Sequence, residues 1–334
     1  MSKKVTMQDI ANIVGVSKVS VSKAMNNQPG ISDKLREQIL SVAENLGYAK
    51  AVNDNNKEDY QLAFICPKRF FLEDETFYTT IYYYLNKTCM EKGYTVTCFV
   101  ISDYLETNCI IPTQLATVNF DGIFIAGELR DKYLSKIVKL KGEKIAIDFY
   151  KFGASMDSII VDNYDTSFKV TRYLIDRGHK EIGFVGNISH TSSICDRYFG
   201  YAKAMRLNHL PIIDDWHIQD INSLTGEYTQ NFRLPSKMPT AFVCHCDKAA
   251  FTLMQKLEKN GMKVPEQVSL ISFDNTSICD LTTPKLTSVD IDRKQLALYS
   301  LNQMIYRLTH PSSSPHKLYL GSTLVERGSV RPLV

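Results

Sequence analysis

Nowhere in this sequence do about eighteen apolar residues follow one another, so no membrane-spanning helix is expected. The start, "MSKKVTMQDIANIV", has two lysines but neither an apolar central region nor a small-residue cleavage site, which predicts a cytoplasmic rather than an exported protein. There is no G-x-S-x-G elbow, no H-E-x-x-H pair, no Walker phosphate loop and no G-x-G-x-x-G turn. The motifs of hydrolases, zinc proteases and nucleotide users are thus missing, and no enzymatic activity is expected. Eight cysteines stand at 66, 89, 98, 109, 195, 244, 246 and 279. Several fall in apolar runs such as "LAFIC" and "FVCHC", the setting of reduced, buried thiols rather than of a disulfide framework. "CHC" at 244–246 lacks a second ligand pair at zinc spacing, and strand alternation sends Cys244 and Cys246 to one face and His245 to the other. Neither a metal nor another cofactor is expected.

What is present is an ordinary globular composition, 44% hydrophobic and 22% charged over 334 residues, a length that suggests two or three domains. The charge is unevenly placed. Residues 1–50 hold seven Lys/Arg against four Asp/Glu, and the rest of the chain is balanced at 32 of each. The whole cationic excess therefore sits at one end, which points to a polyanionic partner there.

That end reads as three helices. Thr6 followed by Asp9 is an N-cap with an acidic group in the first turn, and Ile10, Ala11 and Val14 give the buried face. Gly15 ends the helix, because glycine enters a left-handed turn without steric cost. Ser17 caps a second helix with Val21, Ala24 and Met25 as its buried stripe, leaving Lys18, Val19, Ser22 and Lys23 outside. A third helix runs from the cap Ser32 through Leu35, Ile39, Val42, Ala43 and Leu46 to Gly47. The alternative is a small helical subdomain with a solvated lysine face; the Ala–Gly–Val spacing, both caps and the local charge excess together favour a DNA-binding unit. The second helix can enter a major groove, with Lys18 and Val19 toward base edges and Lys23 toward phosphate. The residues expected on DNA are Thr6, Ser17, Lys18, Val19, Ser20, Ser22, Lys23 and Asn26.

The stretch "VTMQDIANIVGVSKVSVSKAMNNQPGISDKLREQILSVAENLGY" resembles the headpiece of the LacI/GalR family of bacterial transcription regulators, and the likeness extends over nearly the whole chain. It implies a helix-turn-helix headpiece (1–48), a linker (49–60) and an effector-binding and dimerisation domain (61–334). Family linkers usually hold a hinge helix that wedges leucines into the minor groove; "AKAVNDNN" offers no leucine, so strong operator kinking is not expected. The resemblance also implies a homodimer on double-stranded DNA with a pseudo-palindromic operator, and a small-molecule effector, a sugar in the family's usage, controlling carbohydrate-related genes.

From Gln61 onward, short apolar strands ("LAFICP", "TVTCFVI", "DGIFIAG", "KIAIDFY", "SIIVDN", "KEIGFVG", "TAFVCHC", "VSLISFDN") alternate with amphipathic segments at 76–92, 129–141, 164–178, 196–208, 247–261 and 291–308. That alternation indicates α/β architecture with two parallel sheets. The resemblance implies the type I periplasmic-binding-protein fold of two doubly wound subdomains, about 61–161 with 290–320 and about 162–289 with 321–334. Ligands in such sheets lie beyond the carboxyl ends of the strands. Those ends carry Asp148, Asp162, Asn163, Asn187, Asp247, Asp274 and Asn275, suited to paired hydrogen bonds with hydroxyls, with Phe77, Tyr78, Phe149 and Tyr150 available for stacking. Each such Asp can instead be a helix N-cap, Asp165 and Asp196 especially.

"SSICDRYFGYAKAM" and "VPEQVSLISFDN" resemble family motifs in which the positions of Arg197 and Asp274 grip ligand. "DETFY", "IDFY" and "CHCD" depart from the family's usual residues on the ligand wall, with Cys246 standing for an asparagine. The expected effector residues are Phe77, Tyr78, Asp148, Asn163, Ser193, Arg197, Cys246, Asp247 and Asp274. The alternatives are an exported sugar receptor of the same fold, which would not need a basic headpiece, and a regulator without working effector coupling.

Overall fold

A capping box opens the first helix of the computed structural model, which describes residues 5–25, 30–46, 59–71, 77–222, 228–229 and 231–333. The Thr6 hydroxyl accepts from the Asp9 amide, and the Asp9 carboxylate accepts from the Thr6 amide at 2.7 Å. Two donors orphaned at a helix start are thereby satisfied. This helix, α1 (Met7–Val14), ends at Gly15, whose φ of 76° is the left-handed conformation that a side chain disfavours. Ser17 accepts the Ser20 amide at 3.1 Å at the start of α2 (Lys18–Met25), and Ser32 accepts the Leu35 amide at 3.3 Å ahead of α3 (Asp33–Asn45). Ile10, Ala11, Val21, Ala24, Ile39 and Ala43 form the core of this unit. The Arg36 guanidinium of α3 adds a tie the sequence did not reveal, donating to the Lys23 and Ala24 carbonyls at the end of α2, each at 3.4 Å. Gly47, Asn26 and nearly all of the 49–60 linker lie outside the described residues.

The chain divides into two units, Met1–Glu58 and Asp59–Val334. The second begins with β1 (Gln61–Pro67), α4 (Lys68–Phe71), α5 (Phe77–Lys92), β2 (Thr95–Ile101), α6 (Asp103–Thr107), α7 (Thr113–Thr117), β3 (Gly122–Ala126), α8 (Asp131–Val138), β4 (Glu143–Ile147) and β5 (Asp157–Val161). It continues with α9 (Asn163–Asp176), β6 (Ile182–Val185), α10 (Ser192–Leu207), β7 (His217–Ile218), β8 (Ala241–Cys244), α11 (Asp247–Lys259), β9 (Ser269–Asp274), α12 (Ile278–Leu281) and β10 (Thr287–Asp290). The last elements are α13 (Arg293–Thr309), β11 (Lys317–Leu320) and β12 (Thr323–Val325).

The strands form two six-stranded sheets, ordered β11-β5-β4-β3-β1-β2 and β12-β10-β9-β8-β6-β7. The first is parallel throughout, with Leu62 opposite Val96 on one side and Gly122 on the other. The second departs from the all-parallel expectation at one edge, where β12 runs antiparallel to β10. Central strands such as β1 and β3 are buried on both faces, because helices cover each side, and so they read as unbroken apolar runs. α5 and α13 cover one face of the first sheet and α8 the other; α9 and α10 cover one face of the second sheet and α11 the other. The chain passes between the halves after β5, β10 and β11.

Four short strands, β7, β10, β11 and β12, were not foreseen; each has four residues or fewer, too few to display a period. Two expected caps are corrected. α9 is capped by Asp162, which accepts the Asp165 amide at 3.1 Å, and α10 by Thr191, which accepts the Ile194 amide at 3.2 Å. Asp165 therefore sits inside the first turn, and Asp196, a turn into α10, accepts from the Tyr150 hydroxyl at 2.9 Å. α9 and α10 cross closely at Gly200, where a Cβ would lie 2.2 Å from the Tyr164 carbonyl oxygen.

Candidate functional site

In the first unit the outward surface of α2 is the feature that packing leaves unused. Val21 and Ala24 are buried, whereas Lys18 and Val19 stand exposed, Val19 with 64% of its surface in solvent. An exposed valine beside a lysine at a helix start is an unfavourable surface for solvent alone and a suitable one for a base edge and its methyl groups. Thr6 and Ser17 already serve as caps, with Ser17 and Ser20 hydroxyls 2.9 Å apart, so any phosphate contact of theirs is made while they hold their helices. Ser22 and Lys23 are half-buried.

In the second unit a cavity of about 70 Å³ lies between the two halves, beyond the carboxyl ends of the strands. The first half contributes Phe70, Phe77, Tyr78 and Asp148; the second contributes His190, Thr191, Ser193, Ile194, Arg197, Ile221, Tyr228, His245, Cys246 and Asp274. Seven of the nine expected effector residues line it. Asn163 and Asp247 are not in the lining, and their bonds show why. Asn163 Oδ1 accepts from Arg197 Nε at 2.7 Å and so aims the arginine. Asp247 is 1% exposed and accepts from Ser272 and Ser288 hydroxyls at 2.6 Å and from the Thr276 amide at 2.6 Å, which fixes the turn after β9. Phe149 is buried in the core behind the first sheet, and Asn187 holds the Ile221 carbonyl at 3.1 Å. Residues 72–76, including Glu75 and Thr76, lie outside the described residues.

Arg197 is held on every side. Besides Asn163, it donates to the His245 carbonyl, pairs through Nη2 with Asp274 Oδ1 at 3.5 Å, and lies over the Phe273 ring at 4.4 Å. Asp274 and Asn275 have φ of 98° and 44°, and Asp148 has 66°. Non-glycine residues in this region cost energy that the surroundings must offset, and such residues gather at ligand sites. Arg293 donates to the Asp274 carbonyl at 3.0 Å, and the Ser288 hydroxyl accepts the Asn275 amide at 3.1 Å, holding that backbone in place.

The electrostatics are distinctive. Burial pushes the Asp148 carboxyl up to about 6, against the pull of Arg197 and of the Tyr78 hydroxyl that donates to it at 2.8 Å. The Tyr78 phenol is raised well above its usual value by burial and then by Asp148, so it stays a donor. Burial, with Arg69 and His245 nearby, lowers His190 to about 4 and keeps it neutral. His245 is raised: burial opposes its charge, but Cys246 and the Asp220 carboxylate 3.0 Å away outweigh it.

Sequence reasoning missed Phe70, His190, Ile221, Tyr228 and the His245–Asp220 pair. The pair had a usable signal, since alternation had already placed His245 opposite Cys244 and Cys246. Cys246 lines the cavity and also caps α11, accepting the Ala249 amide at 3.4 Å. The two halves also touch each other beside the cavity. Glu128 accepts the Ser192 amide at 2.7 Å, Tyr150 bonds Asp196, and Phe70 meets the His190 ring edge-on at 6.0 Å.

Both units of the chain match known proteins. Residues 6–50 match the profile of bacterial regulatory proteins of the lacI family, and residues 171–330 that of the periplasmic binding protein-like domain. The chain is 27% identical over 315 residues to the NTD biosynthesis operon regulator NtdR of Bacillus subtilis (strain 168), covering 92% of this chain and 94% of that one. It is 24% identical to the HTH-type transcriptional repressor PurR of Histophilus somni (strain 129Pt), covering 98% and 99%. Among solved structures it superposes on the Lac repressor dimer bound to operator and the anti-inducer ONPF with a TM-score of 0.67 at 19% identity, covering 98% of this chain and all of that one. The transcriptional regulator CelR–cellobiose complex gives 0.67 at 19%, covering 97% and 99%. With a basic helix-turn-helix unit at one end, a two-sheet α/β unit after it and relatives matched along nearly the full length, this chain is a DNA-binding transcription regulator, not an enzyme, and belongs to the LacI/GalR family.

Proposed function

We propose that the chain is a cytoplasmic repressor of carbohydrate-related genes, acting as a homodimer on a pseudo-palindromic operator and controlled by a hydroxyl-rich small molecule in the cavity between the halves. The observation that carries this reading is the Arg197–Asp274 pair, which lines a cavity walled by both halves, with Asp274 on left-handed backbone. A ligand there touches Tyr78 and Asp148 of one half and Arg197 and Asp274 of the other, so its binding energy depends on their separation. A ligand that binds one separation better shifts the population toward it, and the dimer transmits the shift to the spacing of its two headpieces.

On DNA, α2 lies in the major groove. Lys18 and Val19 meet base edges, Lys23 meets phosphate, and Thr6, Ser17, Ser20, Ser22 and Asn26 complete the contact. In the cavity, Arg197, Asp274, Asp148 and Ser193 bond hydroxyls and Phe77 and Tyr78 cover an apolar face, while Cys246 gives a weaker polar contact. Asn163 and Asp247 act from behind. Relatives solved with cellobiose, sucrose or ribose favour a sugar as ligand.

The test is a thermal-shift screen of mono- and disaccharides on the intact chain, followed by anisotropy titration of operator DNA with and without each hit. A hit that raises the unfolding temperature and changes operator affinity in wild type, and does neither in Arg197→Ala, is the expected result. A hit that binds Arg197→Ala unchanged would refute the assignment of the cavity.

A further inference from the structure

One atom in the cavity is left without a hydrogen bond by the described residues. Asp148 is 6% exposed, and its Oδ1 has no hydrogen-bond partner among the described residues. Its other oxygen takes the single bond from Tyr78 at 2.8 Å. The nearest cation cannot serve it. Arg197 spends Nε on Asn163, Nη1 on the His245 carbonyl and Nη2 on Asp274. The other groups that face the site do not help. Tyr78 on α5 and Cys66 at the end of β1 are both buried and raised, hence neutral. His190 is neutral, and the charge on His245 is matched by Asp220 behind it. Among the described residues the wall thus presents two carboxylates, Asp148 and Asp274, against one guanidinium.

A buried carboxylate with one hydrogen bond, and a share only in the field of an arginine that bonds elsewhere, is costly unless something arrives to pair it. An anionic ligand would add repulsion. A neutral hydroxyl would supply a hydrogen bond but leave the charge. An ammonium supplies both. We propose that the effector carries a protonated amine, as an amino sugar or amino polyol does, and that this ammonium sits against Oδ1 of Asp148 while Arg197 and Asp274 hold the ligand's hydroxyls. This deepens the reading of the cavity above and rests on it.

The test uses matched sets of ligands on the intact chain at pH 7.5. Hexoses, disaccharides and inositols are compared with their amino counterparts, their N-acetyl counterparts and the corresponding uronic acids, by thermal shift and then calorimetry. The amino member of a binding set is expected to bind at least about tenfold more tightly than its hydroxyl and N-acetyl partners, because a charge-assisted bond replaces a neutral one. In Asp148→Asn the ratio of amine to hydroxyl affinity should fall to within about threefold, whatever both members lose in common. In wild type the amine's advantage should also shrink as pH falls below about 6, where Asp148 takes up a proton. If neutral or acidic members bind wild type as tightly as amines, the ammonium inference is overturned and the cavity reading stands. If the preference survives in Asp148→Asn, the ammonium is not at Asp148 and the inference is overturned. If no member shifts a chain that still binds its operator, the cavity reading fails and takes this inference with it. The unliganded unfolding temperature of Asp148→Asn, and binding by Tyr78→Phe, which keeps the carboxylate, separate a charge effect from misfolding.

Discussion

Replacing Asp148 by asparagine should make the ligand-free protein more stable, and only above acidic pH. The carboxyl shifts from 3.8 to about 6 on folding. At about 1.36 kcal/mol per pKa unit, that is a penalty of about 3 kcal/mol when the group is ionised. Because the folded-state value lies above the ordinary one, the folded chain binds a proton that the unfolded chain releases between roughly pH 4 and 6. The penalty is therefore absent below about pH 4 and complete above about pH 6. Asparagine tolerates the left-handed backbone at this position and still accepts from Tyr78. Its amide N–H group, however, occupies the place of the unpartnered oxygen and costs about 1 kcal/mol unpaired. The expected gain is about 2 kcal/mol at pH 7.5 and nearly zero at pH 4.5, where about 1 kcal/mol of the penalty remains to cancel the unpaired amide. Urea unfolding followed through Trp216, the only tryptophan and one buried in the second unit, reads it directly. Destabilisation at both pH values by similar amounts would refute the reasoning, because a lost contact has no reason to depend on proton uptake.

Lys18→Ala should cost roughly 1–3 kcal/mol of operator affinity and relax sequence preference, whereas Lys23→Ala should weaken binding to all duplexes and flatten the salt dependence; anisotropy with specific and scrambled DNA distinguishes them. Gly200→Ala should destabilise by roughly 1–3 kcal/mol, since the new Cβ meets the Tyr164 carbonyl and the Phe168 amide backbone, neither of which is a flexible side-chain end; an unchanged urea midpoint would contradict that geometry. Arg307→Ala should cost about 3–5 kcal/mol, because Asp157 in β5 is fully buried and takes Arg307 Nε at 3.2 Å as part of its pairing.

Where a residue's role depends on near neighbours in the chain, the sequence was legible. Thr6 with Asp9, Gly15, Ser17 and Ser32 are local signals, and each cap stands as read. Central strands announced themselves because both faces are covered, while β10, β11 and β12 are short and carry polar residues. In the cavity, Arg197 and Asp274 came through motifs and Asp148 through its place at a strand end. Asn163 and Asp247 were misjudged as lining because a strand-end position says that a carboxyl or amide is near the site, not that its bonds are free. Thr276, Ser272 and Ser288 occupy Asp247, and those partners are distant in sequence. His190, Tyr228 and Asp220 came together only through folding. Arg36, reaching back to the end of α2, is likewise a tertiary contact with no local mark.

The central claim is that α2 reads DNA for a two-fold assembly under control of the cavity. Selection from a randomised duplex pool by the intact chain, followed by salt titration of the selected site, tests it most directly. The account predicts an enriched site with dyad symmetry, affinity that falls steeply and log-linearly with salt, relaxed base preference in Lys18→Ala, and unchanged ligand-free affinity in Arg197→Ala. Enrichment without dyad symmetry, or a preference that survives loss of Lys18 and Val19 side chains together, would contradict it.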